Sequence, residues 1–191
     1  MSQPEHDHED EYESVAIVGV SARFPGAPDA EQFWANLRDG VESIRRFTAD
    51  ELIAAGEDPA RVHAPGYVPA SPVLDDIELF DADFFAIPPR EAELMDPQHR
   101  LFLEGAWQAL EDAGCDAERY RGLIGVVGGV SPNRYLMSNL WNRRDLIAAQ
   151  GAMSILIASD RDYMPTRVSY KLDLKGPSLN VQTACSTSLV A

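Results

Sequence analysis

Cysteine, positive charge and long apolar runs are all scarce in this chain. Only Cys115 and Cys185 occur among its 191 residues, at no regular spacing, which argues against a disulfide framework and suits a reducing compartment. No apolar stretch approaches the roughly 18 residues that a bilayer-spanning helix requires. No signal-peptide pattern opens the sequence, so a soluble, cytoplasmic protein without membrane association is expected. Lys and Arg number 16 against 31 Asp and Glu, a formal charge of −15. The cations form no stripe interleaved with aromatics, which makes nucleic acid a poor partner. Residues 21–26 follow an apolar run but lack the full glycine pattern of a dinucleotide fingerprint. No internal repeat is visible. A hydrophobic content of 45% and a charged content of 25% permit one globular domain with a sizeable core, or part of one.

Residues 1–13 are polar and acidic and are expected to be a disordered tail. His6-Asp7-His8 within them is a weak metal suggestion set against ordinary solvation, and no metal site is assigned. Residues 15–20 are continuously apolar and read as a buried strand. Asp29 is placed to cap a helix running to about Arg38, with Phe33, Trp34 and Leu37 on one face and Gly40 ending it. Residues 41–71 mix Pro and Gly punctuation with polar groups and predict a surface excursion. The best-specified helix covers 96–113: Asp96 is an N-cap type, Pro97 fits the first helical position, and Gly114 fits the stop. Phe102, Ala106, Ala109, Leu110 and Ala113 recur there at three- and four-residue steps as a core stripe. Trp107 and His99 on that helix read as packing or surface residues, and Cys115 beyond it as structural. Residues 123–129 predict a second buried strand, with Gly128-Gly129 allowing close backbone approach. A helix starting near Pro132 and another over 160–171, capped by Asp160 with Pro165 early, complete an α/β layered pattern.

Cys185 carries the chemistry. Gly176-Pro177 breaks the preceding segment, residues 178–183 alternate polar and apolar, and Ser186-Thr187-Ser188 supplies helix-start residue types. This puts a cysteine on a strand-to-helix turn. Unpaired backbone N–H groups at a helix start favour thiolate over thiol, and thiolate is the form that attacks carbonyl carbon. A buried structural cysteine is the competing reading.

The string Thr183-Ala184-Cys185-Ser186-Thr187-Ser188-Leu189-Val190-Ala191 resembles the active-site segment of β-ketoacyl synthases, in particular ketosynthase domains of modular type I polyketide synthases. Other stretches resemble the same family in the same order. They are Ser14-Val15-Ala16-Ile17-Val18-Gly19-Val20-Ser21-Ala22-Arg23-Phe24-Pro25-Gly26; Phe80-Asp81-Ala82-Asp83-Phe84-Phe85; residues 89–100 with Met95-Asp96-Pro97-Gln98-His99-Arg100; and residues 162–178 ahead of the nucleophile. The resemblance covers about residues 14–191. The family usually has Gln where this chain has His99 and often Ala where it has Pro165, so neither position receives a role.

The resemblance implies a thiolase-like α-β-α-β-α fold of which this chain holds mainly the first half. It also implies that Cys185 accepts an acyl group from an acyl carrier protein and condenses it with a decarboxylating malonyl-type extender in polyketide or fatty acid biosynthesis. Covalent capture divides one difficult carbon–carbon bond formation into two steps. The Cys185 backbone N–H is the expected oxyanion donor. Cysteine rather than Gln at this position favours an elongating ketosynthase over a loading variant. Phosphopantetheine enters on the carrier protein; no directly bound cofactor is expected. Acyltransferase and other synthase domains are implied partners, as is a second copy meeting around residues 178–182.

The family's two catalytic histidines and lysine lie beyond the cysteine, and this chain stops six residues after it, so an N-terminal portion that is inactive alone is expected. None of His6, His8, His63 and His99 lies in a matching motif. A cysteine hydrolase or acyltransferase using a Cys-His pair, and a non-catalytic fragment acting only in an assembly, are the alternatives. Charge is uneven along the chain, with 27 acidic and 7 basic side chains in residues 1–118 and 4 acidic and 9 basic in 119–191. These can be ordinary solvated faces. Alternatively, Arg143, Arg144, Arg161, Arg167, Lys171 or Lys175 attract the acidic carrier protein.

Overall fold

The computed structural model describes residues 14–191. The expectations for residues 1–13, including His6 and His8, lie outside the described residues.

Helix α1, Ala30–Asp39, starts where expected: the Asp29 carboxylate accepts the Gln32 N–H at 2.7 Å, and Gly40 ends the helix at φ 67°. Its apolar face is not buried, however. Trp34 and Leu37 are 64% and 58% exposed, while Phe33 stacks on Phe24 at 4.1 Å. The excursion that follows contains short elements, two of them opened by local caps: a Thr48–Glu51 capping box and Asp58 ahead of Pro59. Strand β1 (Ile44–Arg46) pairs antiparallel with β2 (Ala70–Pro72), and between them lie α2 (Ala49–Ala54) and α3 (Pro59–Val62). None of these elements contains a buried residue.

The core begins at α4 (Pro89–Leu94) and α5 (Pro97–Asp112). In α5 the Asp96 carboxylate accepts the Gln98 N–H at 2.8 Å, Pro97 occupies the first turn where its missing donor costs nothing, and Gly114 takes φ 60° beyond the end. The stripe is shifted from the one expected. His99, Arg100 and Leu103 are the buried residues of α5, while Phe102, Ala106 and Leu110 are only partly covered against the core. The N-terminal half of the helix meets the rest of the core and its last turns reach the rim. Ile87, Leu94, Met95, Leu103, Met164 and Val168 each expose 2% or less. Each such burial stabilises by roughly 1.5–3 kcal/mol before conformational entropy is subtracted.

Strand β3, Val126–Gly128, pairs parallel with β4, Ser178–Asn180, in the register Val126 with Ser178 and Gly128 with Asn180. Parallel neighbours need a long crossover. Here it contains a π-helical turn (Leu136–Leu140), α6 (Arg144–Gln150), α7 (Ala152–Ser159), a 3₁₀ turn (Arg161–Tyr163) and α8 (Met164–Lys171). The helix expected near Pro132 begins with the Asn133 carboxamide accepting the Leu136 N–H at 2.8 Å, then widens into the π turn. The helix expected over 160–171 is split: Asp160 caps the 3₁₀ turn and α8 starts at Met164 with Pro165 in its first turn. Helix α8 packs on both strands and on α5.

Two strand expectations are corrected. Residues 15–20 form no strand, and Val15, Ile17 and Val18 are 93%, 85% and 73% exposed. An apolar run is buried as a strand only when a neighbouring strand completes its hydrogen bonds, and none does so among the described residues. Near its end the Val20 N–H donates to Asp112 Oδ2 at 2.8 Å and Ser21 Oγ to Gln108 Oε1 at 2.8 Å. Likewise the strand spans only 126–128 of the expected 123–129; ahead of it Ile124 O still accepts the Gly176 N–H at 2.8 Å, and Leu123 is 75% exposed.

Candidate functional site

The site forms where β4 runs out. Past Asn180 the chain stays beside β3 for one more bond, the Val181 N–H donating to Gly128 O at 2.9 Å. It then reverses sharply: Thr183 sits at φ −129°, ψ 33°, and Ala184 at φ 53°. A residue with a Cβ in this left-handed region costs roughly 1–2 kcal/mol. Ala184–Ser186 form a 3₁₀ turn with Cys185 at its centre, and α9 (Thr187–Val190) follows as a single helical turn. The expected strand-to-helix turn is present, but the α-helix opens two residues after the cysteine. The amides around Cys185 therefore belong to a tight 3₁₀ turn that leads into α9.

Cys185 is exposed and unpaired as a thiol. It lines an open cleft of about 750 Å³ whose other walls include Gln98 and Phe102 of α5, the loop 129–132, and Ser188 and Ala191. The Ser186 N–H is turned back to Thr183 O at 3.3 Å, and the Thr187 N–H to Ala184 O. The Cys185 N–H has no acceptor among the described residues, which leaves it available to an incoming oxygen. No Asp, Glu, Lys, Arg or His lines the cleft among the described residues.

Two close approaches hold the walls together. A Cβ on Gly129 would stand 2.3 Å from Thr187 Cγ2 and 2.4 Å from Val181 O, so a side chain there would push the β3 end away from the cysteine turn. This is the use of the second glycine that the sequence suggested. The carboxamide of Gln98 clamps the opposite wall, with Oε1 accepting the Ser131 N–H at 2.9 Å and Nε2 donating to Ser131 O at 3.3 Å. Sequence reasoning did not single out Gln98 or Ser131. The available signal was a long polar residue at the second position of a well-capped helix.

His99 is 1% exposed, with neither ring nitrogen hydrogen-bonded. It does not line the cleft. Burial pushes its pKa down to about 4, opposed by Asp96 and reinforced by Arg167. It is a neutral packing residue, as expected. His63 is exposed just after α3, away from the cleft. No described histidine therefore accompanies Cys185, and the Cys-His hydrolase reading gains no support.

The candidate cations are scattered in role. Arg167 is committed to the interior: its side chain is 8% exposed, Nη1 lies 2.6 Å from Glu91 Oε1, and Nη2 donates to Ile157 O at 2.8 Å. Lys171 Nζ donates to Ala86 O at 2.9 Å, Arg143 pairs with Asp145 at 3.4 Å, and Lys175 pairs with Asp173. Arg144 and Arg161 are exposed and have no ion pair among the described residues. Cys115 is half-buried beside α5, and no helix among the described residues is long and apolar enough to cross a membrane.

Comparison with known proteins places this arrangement. The family model for the β-ketoacyl synthase N-terminal domain matches residues 12–191. A phenolphthiocerol/phthiocerol polyketide synthase of Mycobacterium tuberculosis is 48% identical over 197 residues, covering all of this chain and 13% of the relative. Polyketide synthase PksN of Bacillus subtilis is 37% identical over 203 residues, covering 99% of this chain and 4% of the relative. Among solved structures, ketosynthase twelve from the bacillaene polyketide synthase of Bacillus amyloliquefaciens superposes with a TM-score of 0.78 at 42% identity, over 92% of this chain and 30% of that one. The ketosynthase from module 1 of the bacillaene synthase of Bacillus amyloliquefaciens FZB42 gives a TM-score of 0.73 at 38% identity, over 92% of this chain and 30% of that one. The chain thus spans a small fraction of the curated relatives and under a third of the solved ketosynthases. Its fold is the N-terminal portion of their thiolase-like α/β architecture, with the parallel pair β3 and β4 and helices α5 and α8 as the packed part. The chain belongs to the β-ketoacyl synthase family.

Proposed function

We propose that this chain is the nucleophile-bearing portion of a ketosynthase of the 3-oxoacyl-[acyl-carrier-protein] synthase type, acting in polyketide or fatty acid assembly, with Cys185 as its acyl acceptor. The observation that carries the reading is Cys185 itself: an exposed thiol on a strained turn at the edge of a cleft, with an uncommitted backbone N–H on the same residue.

The chemistry follows from that geometry. Cys185 Sγ, as thiolate, attacks the carbonyl carbon of an acyl thioester carried on phosphopantetheine, and the negative charge moves to the carbonyl oxygen. The Cys185 N–H is the donor on this chain suited to that oxygen, a contact that strengthens as the charge develops. Collapse of the tetrahedral species expels the pantetheine thiolate and leaves an acyl thioester on Cys185. An extender that loses CO₂ supplies a carbanion, which attacks the same carbonyl carbon. The new carbon–carbon bond forms, the bond to sulfur breaks, and the Cys185 thiolate is regenerated.

The proton-handling histidines and the lysine that the family resemblance implies are not at this cleft among the described residues, so the piece alone is proposed to be inactive. The acyl carrier protein is the proposed partner, with Arg144 and Arg161 the two of the six candidate cations whose side chains are uncommitted among the described residues. The other synthase domains act in the same assembly. A homodimer contact around residues 178–182 is supported by Leu179, which is 54% exposed on β4. A cytoplasmic setting suits two free thiols.

A full-length ketosynthase carrying this sequence tests the reading. Incubated with an acyl-carrier substrate, it should gain the acyl mass on the peptide containing Cys185, and the Cys185→Ala variant should gain none. Acylation of a folded Cys185→Ala protein would sink the assignment.

A further inference from the structure

Of the three hydroxyl residues after Cys185, one is built into the turn differently from the others. Thr187 Oγ1 accepts the Thr183 N–H at 2.9 Å and donates to Ala184 O at 2.9 Å. A single hydroxyl therefore spans Ala184, the residue held at φ 53°. Ser186 Oγ bonds only to Thr183, at O (2.9 Å) and Oγ1 (3.2 Å), and Ser188 makes no such bond among the described residues. The Thr187 methyl faces the other way: Cγ2 stands 2.3 Å from where a Cβ on Gly129 would lie, against the wall of the cleft that Cys185 lines.

A left-handed alanine persists only where its surroundings over-determine it. The Ala184 peptide oxygen and the Thr183 amide are the groups that would be lost to water or misdirected if the turn relaxed. We infer that Thr187 is a positioning residue for Cys185: its hydroxyl closes the turn across Ala184 and its methyl sets that turn against Gly129, which fixes the direction of the cysteine sulfur and N–H relative to the cleft. The inference rests on the reading of Cys185 as the acyl acceptor. Thr187 touches no reacting atom. It acts through the backbone of residues 183–185.

A purely structural cap would change stability and leave the rate of the folded fraction alone. A positioning residue changes the rate at saturating donor, because small misplacement of reacting groups is costly even when the substrate still binds.

The test uses a full-length ketosynthase carrying Thr187→Val, which keeps the branched shape and removes the hydroxyl, and Thr187→Ser, which keeps the hydroxyl and removes the methyl. Single-turnover acylation from an acyl-carrier thioester is followed by intact-protein mass spectrometry, with the folded fraction fixed by thermal unfolding. Thr187→Val should acylate about tenfold to a hundredfold more slowly per folded molecule, with the half-saturating donor concentration unchanged within about twofold. Thr187→Ser should recover most of the rate. If Thr187→Val does not fold, Thr187→Ala takes its place in the same comparison with Thr187→Ser.

A wild-type rate in Thr187→Val, or a loss in Thr187→Ser as deep as that in Thr187→Val, overturns the inference. Cys185→Ala separates the two claims. If it is silent while Thr187→Val acylates normally, only the Thr187 role falls; if it still acylates, the nucleophile assignment falls first.

Discussion

Arg167 and Glu91, 76 positions apart in the chain, form a contact of 2.6 Å whose two ends differ in solvent access: the guanidinium side is 8% exposed and the carboxylate side 41%. The pair ties α8, which leads toward β4 and the cysteine turn, to α4 at the edge of the core. Removing one partner of such a pair costs chiefly through the charge left behind. Glu91→Gln strands a buried cation and should destabilise by about 2 kcal/mol, whereas Arg167→Met leaves a carboxylate that water can reach and should cost about half as much. Denaturant unfolding of the two variants checks the order. A larger loss in Arg167→Met would show that the Arg167 bond to Ile157 O dominates.

His99 gives a pH dependence whose sign is fixed. Its pKa is about 4 in the fold against 6.5 when free, so the unfolded chain binds more protons between those values and stability falls as pH drops from about 6.5 to about 4. The largest loss from this group is about 3 kcal/mol. His99→Gln should flatten that part of the profile, measured as unfolding midpoint against pH. An unchanged slope would place the acid sensitivity elsewhere.

Gly129 and Gly176 lie too close to neighbouring backbone to admit a side chain. A Cβ on Gly129 would meet Val181 O at 2.4 Å, and one on Gly176 would meet Gly125 N and Ile124 C, both at 2.5 Å. Both clashes are with backbone, which cannot rotate away. Gly129→Ala and Gly176→Ala should each destabilise by about 1–3 kcal/mol. Gly129→Ala should also alter the rate at which iodoacetamide labels Cys185 in folded protein. Wild-type melting in both variants would refute the close approach.

Gln98 holds Ser131 through two hydrogen bonds, at 2.9 and 3.3 Å. Gln98→Ala frees the loop 129–132 that walls the cleft. With one strong and one weak bond lost, the expected effect is about 1 kcal/mol of stability. The KM for carrier-bound substrate in a complete ketosynthase should rise by about threefold to tenfold. A lower kcat at unchanged KM would instead mean that the loop acts on the chemical step.

Of the six candidate cations, Arg144 and Arg161 are the two whose side chains make no hydrogen bond or ion pair among the described residues. Reversing both to Glu should raise the KM for the carrier-bound donor several-fold at low salt, and the difference should shrink above about 0.3 M salt because exposed charges are screened over a few ångströms there. Reversing Arg143, already paired with Asp145, should do less. An unchanged KM at low salt would remove these residues from the docking surface.

The sequence alone determined those features whose causes are local. Asp29, Asp96 and Asp160 each accept a nearby amide at an element start; Pro97 and Pro165 enter first turns; Gly40 and Gly114 take the left-handed backbone that ends a helix. Those effects act within one turn, so residue types at fixed offsets suffice to read them. The Cys185 motif was legible in the same way, because a strand running into a hydroxyl-rich turn is written in consecutive residues.

Only the tertiary structure decided which apolar faces are covered. Residues 15–20 and the face of α1 carry burial patterns yet lie exposed, since an apolar run is buried only when another element arrives to cover it, and periodicity does not specify the partner. The same holds for the site. That Gln98 reaches Ser131, that Thr187 presses on Gly129, and that Arg167 is spent on Glu91 all join residues far apart along the chain, through packing that no local pattern encodes.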